Sequence, residues 1–314
     1  MRLRSSILAL SCCLAVAQTP PAKAAPDEDA TFSVGTRLVV LPISVSDKNG
    51  KLITDLQQKS FKVYENGVEQ PIKLFKREDV PVSLGIIIDN SGSMREKRQK
   101  VETASMDLVK ASNPQDEVFI VNFNDEAYLD VEFTNDIKKM EEGVARIDSR
   151  GGTAMRDAII KSIDYLKEKG KRQKKVLLVV TDGNDNASRI GLEKLVSQAQ
   201  QSEVLIYAIG LLNEEERHEA RIAKRALDSL ARESGGLAFY PKSLAEVDEL
   251  TLQVAHELRN QYTIAYSPTI QAMDGSFRQI KVTVNGPGRP LVRTRTGYYA
   301  TPDASAKKTL SQVR

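Results

Sequence analysis

Two apolar runs in this chain lack the polar interruptions of a half-buried strand: Val82-Ser83-Leu84-Gly85-Ile86-Ile87-Ile88 and Val176-Leu177-Leu178-Val179-Val180. Such runs belong to strands buried on both faces of a parallel sheet. Helical periodicity follows each of them. Met94 to about Ala111 sets Val101, Ala104, Ser105, Leu108 and Val109 on one face, and Leu192 to Ser202 forms a helix after the second run. Ala154 to about Lys169 is amphipathic through Ala158, Ile159, Ser162, Ile163 and Leu166. Glu214 to Ser234 turns Ala223, Leu227, Leu230 and Ala231 inward, and Gly235-Gly236 stops it. Strands alternating with helices predict an α/β domain with a mostly parallel sheet.

The flanks have a different rhythm. Between Arg37 and Lys76 short apolar runs alternate and are separated by Asn49-Gly50 and Asn66-Gly67, both strong turn signals. Tyr262 to Ser267, Gln279 to Val284 and Leu291 to Tyr299 repeat the pattern, broken by Asp274-Gly275 and Gly286-Pro287-Gly288. Each arm is short for a core of its own, and unpaired strand edges invite aggregation. The two arms are therefore expected to pair into one small β-sandwich, with the α/β domain inserted between them. The expected boundaries are 30–80 for the first arm, 81–258 for the α/β domain and 259–300 for the second arm. Residues 301–314 are expected to form a mobile polar tail.

The chemistry sits where the apolar runs end. The first stops at Asp89-Asn90-Ser91-Gly92-Ser93 and the second runs into Thr181-Asp182-Gly183, while Gly151-Gly152-Thr153 opens the helix between them. In open parallel sheets, ligands bind outside the carboxyl ends of the strands, where the strand order reverses. Asp89, Ser91, Ser93, Thr153 and Asp182 offer only hard oxygen donors, which suits a magnesium-like ion that takes six oxygens at about 2.0–2.1 Å. None of these loops contains Cys or His, which argues against zinc or copper. Each residue also has a simpler reading. Ser93-Met94-Arg95-Glu96 is a capping box, Thr153 is placed to cap the helix after it, and Asp182-Gly183 is a turn. Capping does not require Asp-x-Ser-x-Ser after one buried strand and Asp-Gly after another, so the joint pattern favours the cation.

These residues resemble the metal-ion-dependent adhesion site of the von Willebrand factor A domain family, with its Asp-x-Ser-x-Ser, separate Thr and separate Asp. The resemblance covers about Val82 to Glu257. It implies a doubly wound six-stranded sheet in the order 3-2-1-4-5-6 with one antiparallel edge strand. It also implies Mg²⁺ or Mn²⁺ at the five residues, and a sixth position filled by water or by a partner protein's Asp or Glu. The flanks, including Phe61-Lys62-Val63-Tyr64-Glu65-Asn66-Gly67 and Gln261-Tyr262-Thr263-Ile264-Ala265-Tyr266-Ser267-Pro268, resemble a group of secreted bacterial proteins common among Acidobacteria and related to the same family.

Composition narrows the partners. Trp is absent and aromatics are 5% of the chain, so stacking on bases or sugars is disfavoured. The formal charge of +3 includes Arg2, Arg4 and Lys23, and a chain starting after Ala24 is neutral, without the footprint of a nucleic-acid binder. Residues 1–24 read as an export signal, with positive charge in Met1-Arg2-Leu3-Arg4 and an apolar core from Ile7 to Val16 too short to span a bilayer. Cleavage after Ala24 is preferred to cleavage after Ala17. Both cysteines, Cys12 and Cys13, lie in this segment, and Leu10 stands one position off the usual lipobox, which argues against lipid attachment. No later run is long enough for a transmembrane anchor, and nothing in the sequence sets an oligomeric state. The basic stretch Lys167 to Lys175 reads as a solvated connection. Asn186-Ala187-Ser188 is a glycosylation sequon only in a eukaryotic setting.

The expectation is thus an exported periplasmic or extracellular protein-binding module with no catalytic residues of its own. One alternative is a phosphotransfer enzyme of the haloacid-dehalogenase type, which also has a strand ending in Asp. That chemistry wants a second Asp two residues on, where Ser91 stands. The other alternative is an envelope component in which the ion only stabilises the fold.

Overall fold

The computed structural model describes residues 38–144, 149–183, 185–212, 217–286 and 288–301. The expected export signal and all of the expected tail beyond Thr301 lie outside them.

The first arm supplies β1 (Val39–Ser46), β2 (Phe61–Glu65), β3 (Val68–Gln70) and β4 (Ile72–Lys76). Asn66 and Gly67 join β2 to β3 with φ of 48° and 82°, the doubly left-handed turn that an Asn-Gly pair favours.

The central sheet follows, with β5 (Val82–Asp89), β6 (Glu117–Phe123), β7 (Ala127–Thr134), β8 (Lys174–Thr181), β9 (Leu205–Gly210) and β10 (Ala238–Phe239) in the order β10-β9-β8-β5-β6-β7. All pairings are parallel except β6 with β7, the edge pair. This is the doubly wound order expected, and it reverses between β5 and β8. Every residue of β5 is buried, as its unbroken apolar run requires.

Helices cover both faces. Leu84, Ile86 and Ile88 face α1 (Arg98–Ala111), α2 (Ile137–Val144) and α6 (Glu246–Arg259). Ile87 faces α3 (Met155–Lys169), α4 (Leu192–Ser202) and α5 (Arg217–Ser234). Each such side chain contributes about 1.5–3 kcal/mol by leaving water. Gly85 points to the second face, where a Cβ would lie 2.4 Å from the Phe119 ring, so the aromatic packs directly over the strand backbone.

The second arm returns as β11 (Tyr262–Tyr266), β12 (Phe277–Val284), β13 (Leu291–Arg293) and β14 (Gly297–Tyr299). Two four-stranded sheets result, β13-β1-β11-β4 and β14-β12-β2-β3, each mixing strands from both arms. Leu41, Ile43, Val63, Tyr262, Ile264 and Ile280 belong to the core they enclose. The expected β segment from Leu291 to Tyr299 is two strands in different sheets. Between them Arg295 is buried, bonding the Val40 carbonyl and Glu203, while Thr296 donates to Glu233, so the chain crosses from one sheet to the other there.

Two helix starts also differ from expectation. A short 3₁₀ turn, Gly92–Met94, precedes α1, which begins at Arg98 with Lys97 at its N-cap and no side-chain cap. The Ser93–Glu96 capping box therefore does not form. Ala154, not Thr153, stands at the N-cap of α3, and it too makes no side-chain cap. Both hydroxyl residues are left available for other work.

Candidate metal site

β5 and β8 end side by side and deliver Asp89 and Asp182 to the same end of the sheet. Asp89 is fully buried. Its Oδ1 accepts the Ser91 N–H at 2.9 Å and its Oδ2 accepts the Thr181 hydroxyl at 2.6 Å. Ser91 and Ser93 Oγ atoms lie 3.1 Å apart, and Ser93 donates to Asp182 Oδ1 at 2.8 Å. Lys97 Nζ stands 2.5 Å from Asp182 Oδ2. Four of the five expected residues are thus joined in one hydrogen-bonded group, with Asp89 at its floor and exposed Ser93 at its mouth.

Thr153 joins through its loop. Gly92 N–H donates to the Gly151 carbonyl and Arg150 N–H to the Asn90 carbonyl, stitching this loop to the first. Thr153 N–H donates to Asn186 Oδ1 at 2.8 Å, and the N–H groups of Asn186 and Ala187 return to the Thr153 carbonyl, stitching it to the loop after β8. Gly151 is required here: its φ is +77° and a Cβ would lie 2.2 Å from Asp125 Oδ2. Asp125, in the β6–β7 connection, accepts the Gly152 N–H at 2.8 Å. Asn90 accepts from buried Arg98 and from Ser149, which fixes the first loop from beneath.

Sequence reasoning missed Lys97, Asn90, Thr181, Asp125 and Asn186. Thr181 had a legible signal, since it ends a buried strand directly before Asp182. Lys97 and Asp125 act across 85 and 27 residues, and nothing local announces their partners.

Electrostatics sets Asp89 apart. Burial pushes its carboxyl from the ordinary 3.8 up to about 6; the Thr181 and Ser91 bonds oppose this, and the nearby Asp182 charge adds to it. Among the described residues no basic side chain forms an ion pair with Asp89. A buried carboxylate held only by neutral donors, beside hydroxyls and a second carboxylate, fits a hard divalent cation of the Mg²⁺ kind. The described residues hold no cluster of three or more His, Cys, Asp and Glu side chains suited to a metal. The expected site instead combines two Asp with three hydroxyl residues.

A doubly wound sheet with hydroxyls and carboxylates gathered where its strand order reverses places the chain in the open-sheet α/β class. The sequence profile of the von Willebrand factor type A domain matches residues 84–253, more than half of the chain, and the chain belongs to that family. It is 32% identical over 106 residues to mouse (Mus musculus) integrin alpha-11; this match covers 31% of the chain and 9% of that relative's length. Among solved structures, a von Willebrand factor type A protein from Catenulispora acidiphila is 12% identical, with a TM-score of 0.50 over 87% of this chain and 76% of that one. An aerotolerance-related membrane protein from Bacteroides fragilis NCTC 9343, solved with multiple mutations to serines, is 17% identical, with a TM-score of 0.47 over 56% and 98%. At these identities the structural likeness concerns the fold alone.

Proposed function

We propose that this chain is an exported protein-binding module of the adhesion type. It holds Mg²⁺ or Mn²⁺ at Asp89, Ser91, Ser93, Thr153 and Asp182, and a partner protein's Asp or Glu completes the ion's shell. The observation that carries this reading is Asp89, a fully buried carboxylate at the switch point with neutral donors on both oxygens. Two carboxylates and three hydroxyls leave a divalent ion poor in electron density, so an external carboxylate is an attractive further ligand. Family membership supports a protein-interaction role.

Export rests on residues 1–24 and on a processed chain free of cysteine. No helix among the described residues is long and apolar enough to cross a membrane.

The enzyme reading finds less support. The chain's two histidines, His218 and His256, are exposed on α5 and α6. Ser91 has Ser93 as its hydroxyl partner instead of a general base.

The test is capture of partners from the source cell's envelope fraction by immobilised protein, with and without chelator, using wild type and Asp182→Ala. Capture lost in chelator and in the variant supports the adhesion reading. Capture indifferent to both rejects it, and metal retained with nothing captured selects a structural ion.

A further inference from the structure

Lys97 stands where its own helix least favours a cation. It is the N-cap of α1, directly before Arg98, and the first turn holds no acidic residue. Helix N-termini present partial positive charge, so a cation there is unfavourable unless something else holds it. What holds it is Asp182. The ammonium lies 2.5 Å from Oδ2, and the Lys97 and Asp182 side chains are 25% and 1% exposed. The other Asp182 oxygen accepts the Ser93 hydroxyl. A cation of the chain itself therefore sits on a carboxylate that the divalent ion needs.

We infer that Lys97 is a tethered competitor for the metal site: its ammonium satisfies Asp182 in the metal-free protein and must leave before a divalent ion is held. The inference rests on the metal reading above. An ammonium on a flexible four-carbon stem is suited to this, because it swings to solvent without moving backbone. Arg98 is not, since its guanidinium is buried and bonded to Asn90, Glu102 and the Val144 carbonyl. The energy of the Lys97–Asp182 pair is given up on every metal-binding event, so Lys97 lowers affinity for the ion while protecting the buried carboxylate when the ion is absent.

The experiment is calorimetric titration of Mg²⁺, repeated with Mn²⁺, into the full chain as wild type, Lys97→Met, Lys97→Arg and Asp182→Ala, each first stripped with chelator. Lys97→Met is expected to bind about tenfold more tightly than wild type, the scale of one partly buried ion pair released. Lys97→Arg is expected to remain within a few-fold of wild type because the charge persists. Thermal melts supply a second readout. Lys97→Met should be less stable than wild type in chelator and recover in excess Mg²⁺, whereas a merely structural ion pair would leave it less stable in both.

Wild type and Lys97→Met binding Mg²⁺ equally, with Asp182→Ala silent, would overturn the competitor role and leave the metal site standing. No binding by wild type or Lys97→Met would overturn both. Binding seen only in Lys97→Met would support the competitor role most strongly.

Discussion

Asp89 and Glu257 are both carboxylates with almost no exposure, 0% and 2%, yet the chain surrounds them differently. Glu257, near the end of α6, accepts the hydroxyls of Ser44 and Tyr207 at 2.7 Å each, and Arg293 lies 2.5 Å from its other oxygen. Its counter-charge is internal and comes from β13, while Ser44 belongs to β1 and Tyr207 to β9. One side chain thus ties the helix to the central sheet and to both arms. Asp89 receives an amide and a hydroxyl and, among the described residues, no cation. Burial of a charge is therefore not by itself what marks a site in this molecule, since Glu65 is also buried and accepts the Tyr266 and Tyr298 hydroxyls; what sets Asp89 apart is an uncompensated carboxylate grouped with Ser91, Ser93 and Asp182 where the strand order reverses.

The largest effect tests the scaffold on which the comparison stands. β1 lies between β11 and β13, and β2 between β12 and β3, so deleting residues 260–314 removes both neighbours of β1 and one of β2. Amide exchange should then show protection lost across 39–46 and 61–65. Full protection there would mean that the first arm folds alone.

Glu257→Ala should be the next largest. It leaves Arg293 without its buried partner and should lower stability by about 3–5 kcal/mol. Mg²⁺ affinity, measured where the variant is folded, should stay within about twofold of wild type. A large loss of metal binding would erase the distinction between the two carboxylates.

Asp89→Asn should behave in the opposite way. Because folding raises the Asp89 pKa from 3.8 to about 6, the folded state binds more protons than the unfolded state between those values. Metal-free wild type should therefore lose stability as pH rises from about 4 to about 6 and stay at the lower level above that. The asparagine variant should lack this slope and gain about 1–3 kcal/mol over metal-free wild type at pH 7.5, while losing the ion. Denaturant unfolding across pH in chelator reads both outcomes, and identical slopes would show that Asp89 is not desolvated as described.

Thr153→Ala should be the mildest toward metal. The Thr153 loop is anchored by backbone groups to Asn90, Asn124 and Asn186, so it keeps its place without the hydroxyl. Mg²⁺ affinity should fall only a few-fold, with a larger loss of partner capture. Unchanged capture would remove Thr153 from the site.

How much of this was legible depended on how local the cause is. β5 and β8 are buried on both faces, so their apolar runs are unbroken and their ends point to Asp89 and Asp182. The Asn66-Gly67 turn was equally plain, because its two positive φ angles are a local demand. β7 was not, since this edge strand pairs irregularly with β6 and mixes buried with exposed positions without a clean alternation. The break between β13 and β14 was hidden for another reason: Glu203 and Glu233 hold it from far away in sequence. The same applies to the site. Its oxygen donors carry a pattern, whereas Lys97 and Asp125 acquire their roles only when the loops meet.

The most direct test of the central claim is calorimetric titration of Mg²⁺ into chelator-stripped wild type and Asp182→Ala, with circular dichroism confirming that both are folded. Wild type should bind one ion, and Asp182→Ala should lose affinity by about a hundredfold or more, because one of only two charged ligands is gone. Equal affinity in the two proteins would contradict the account.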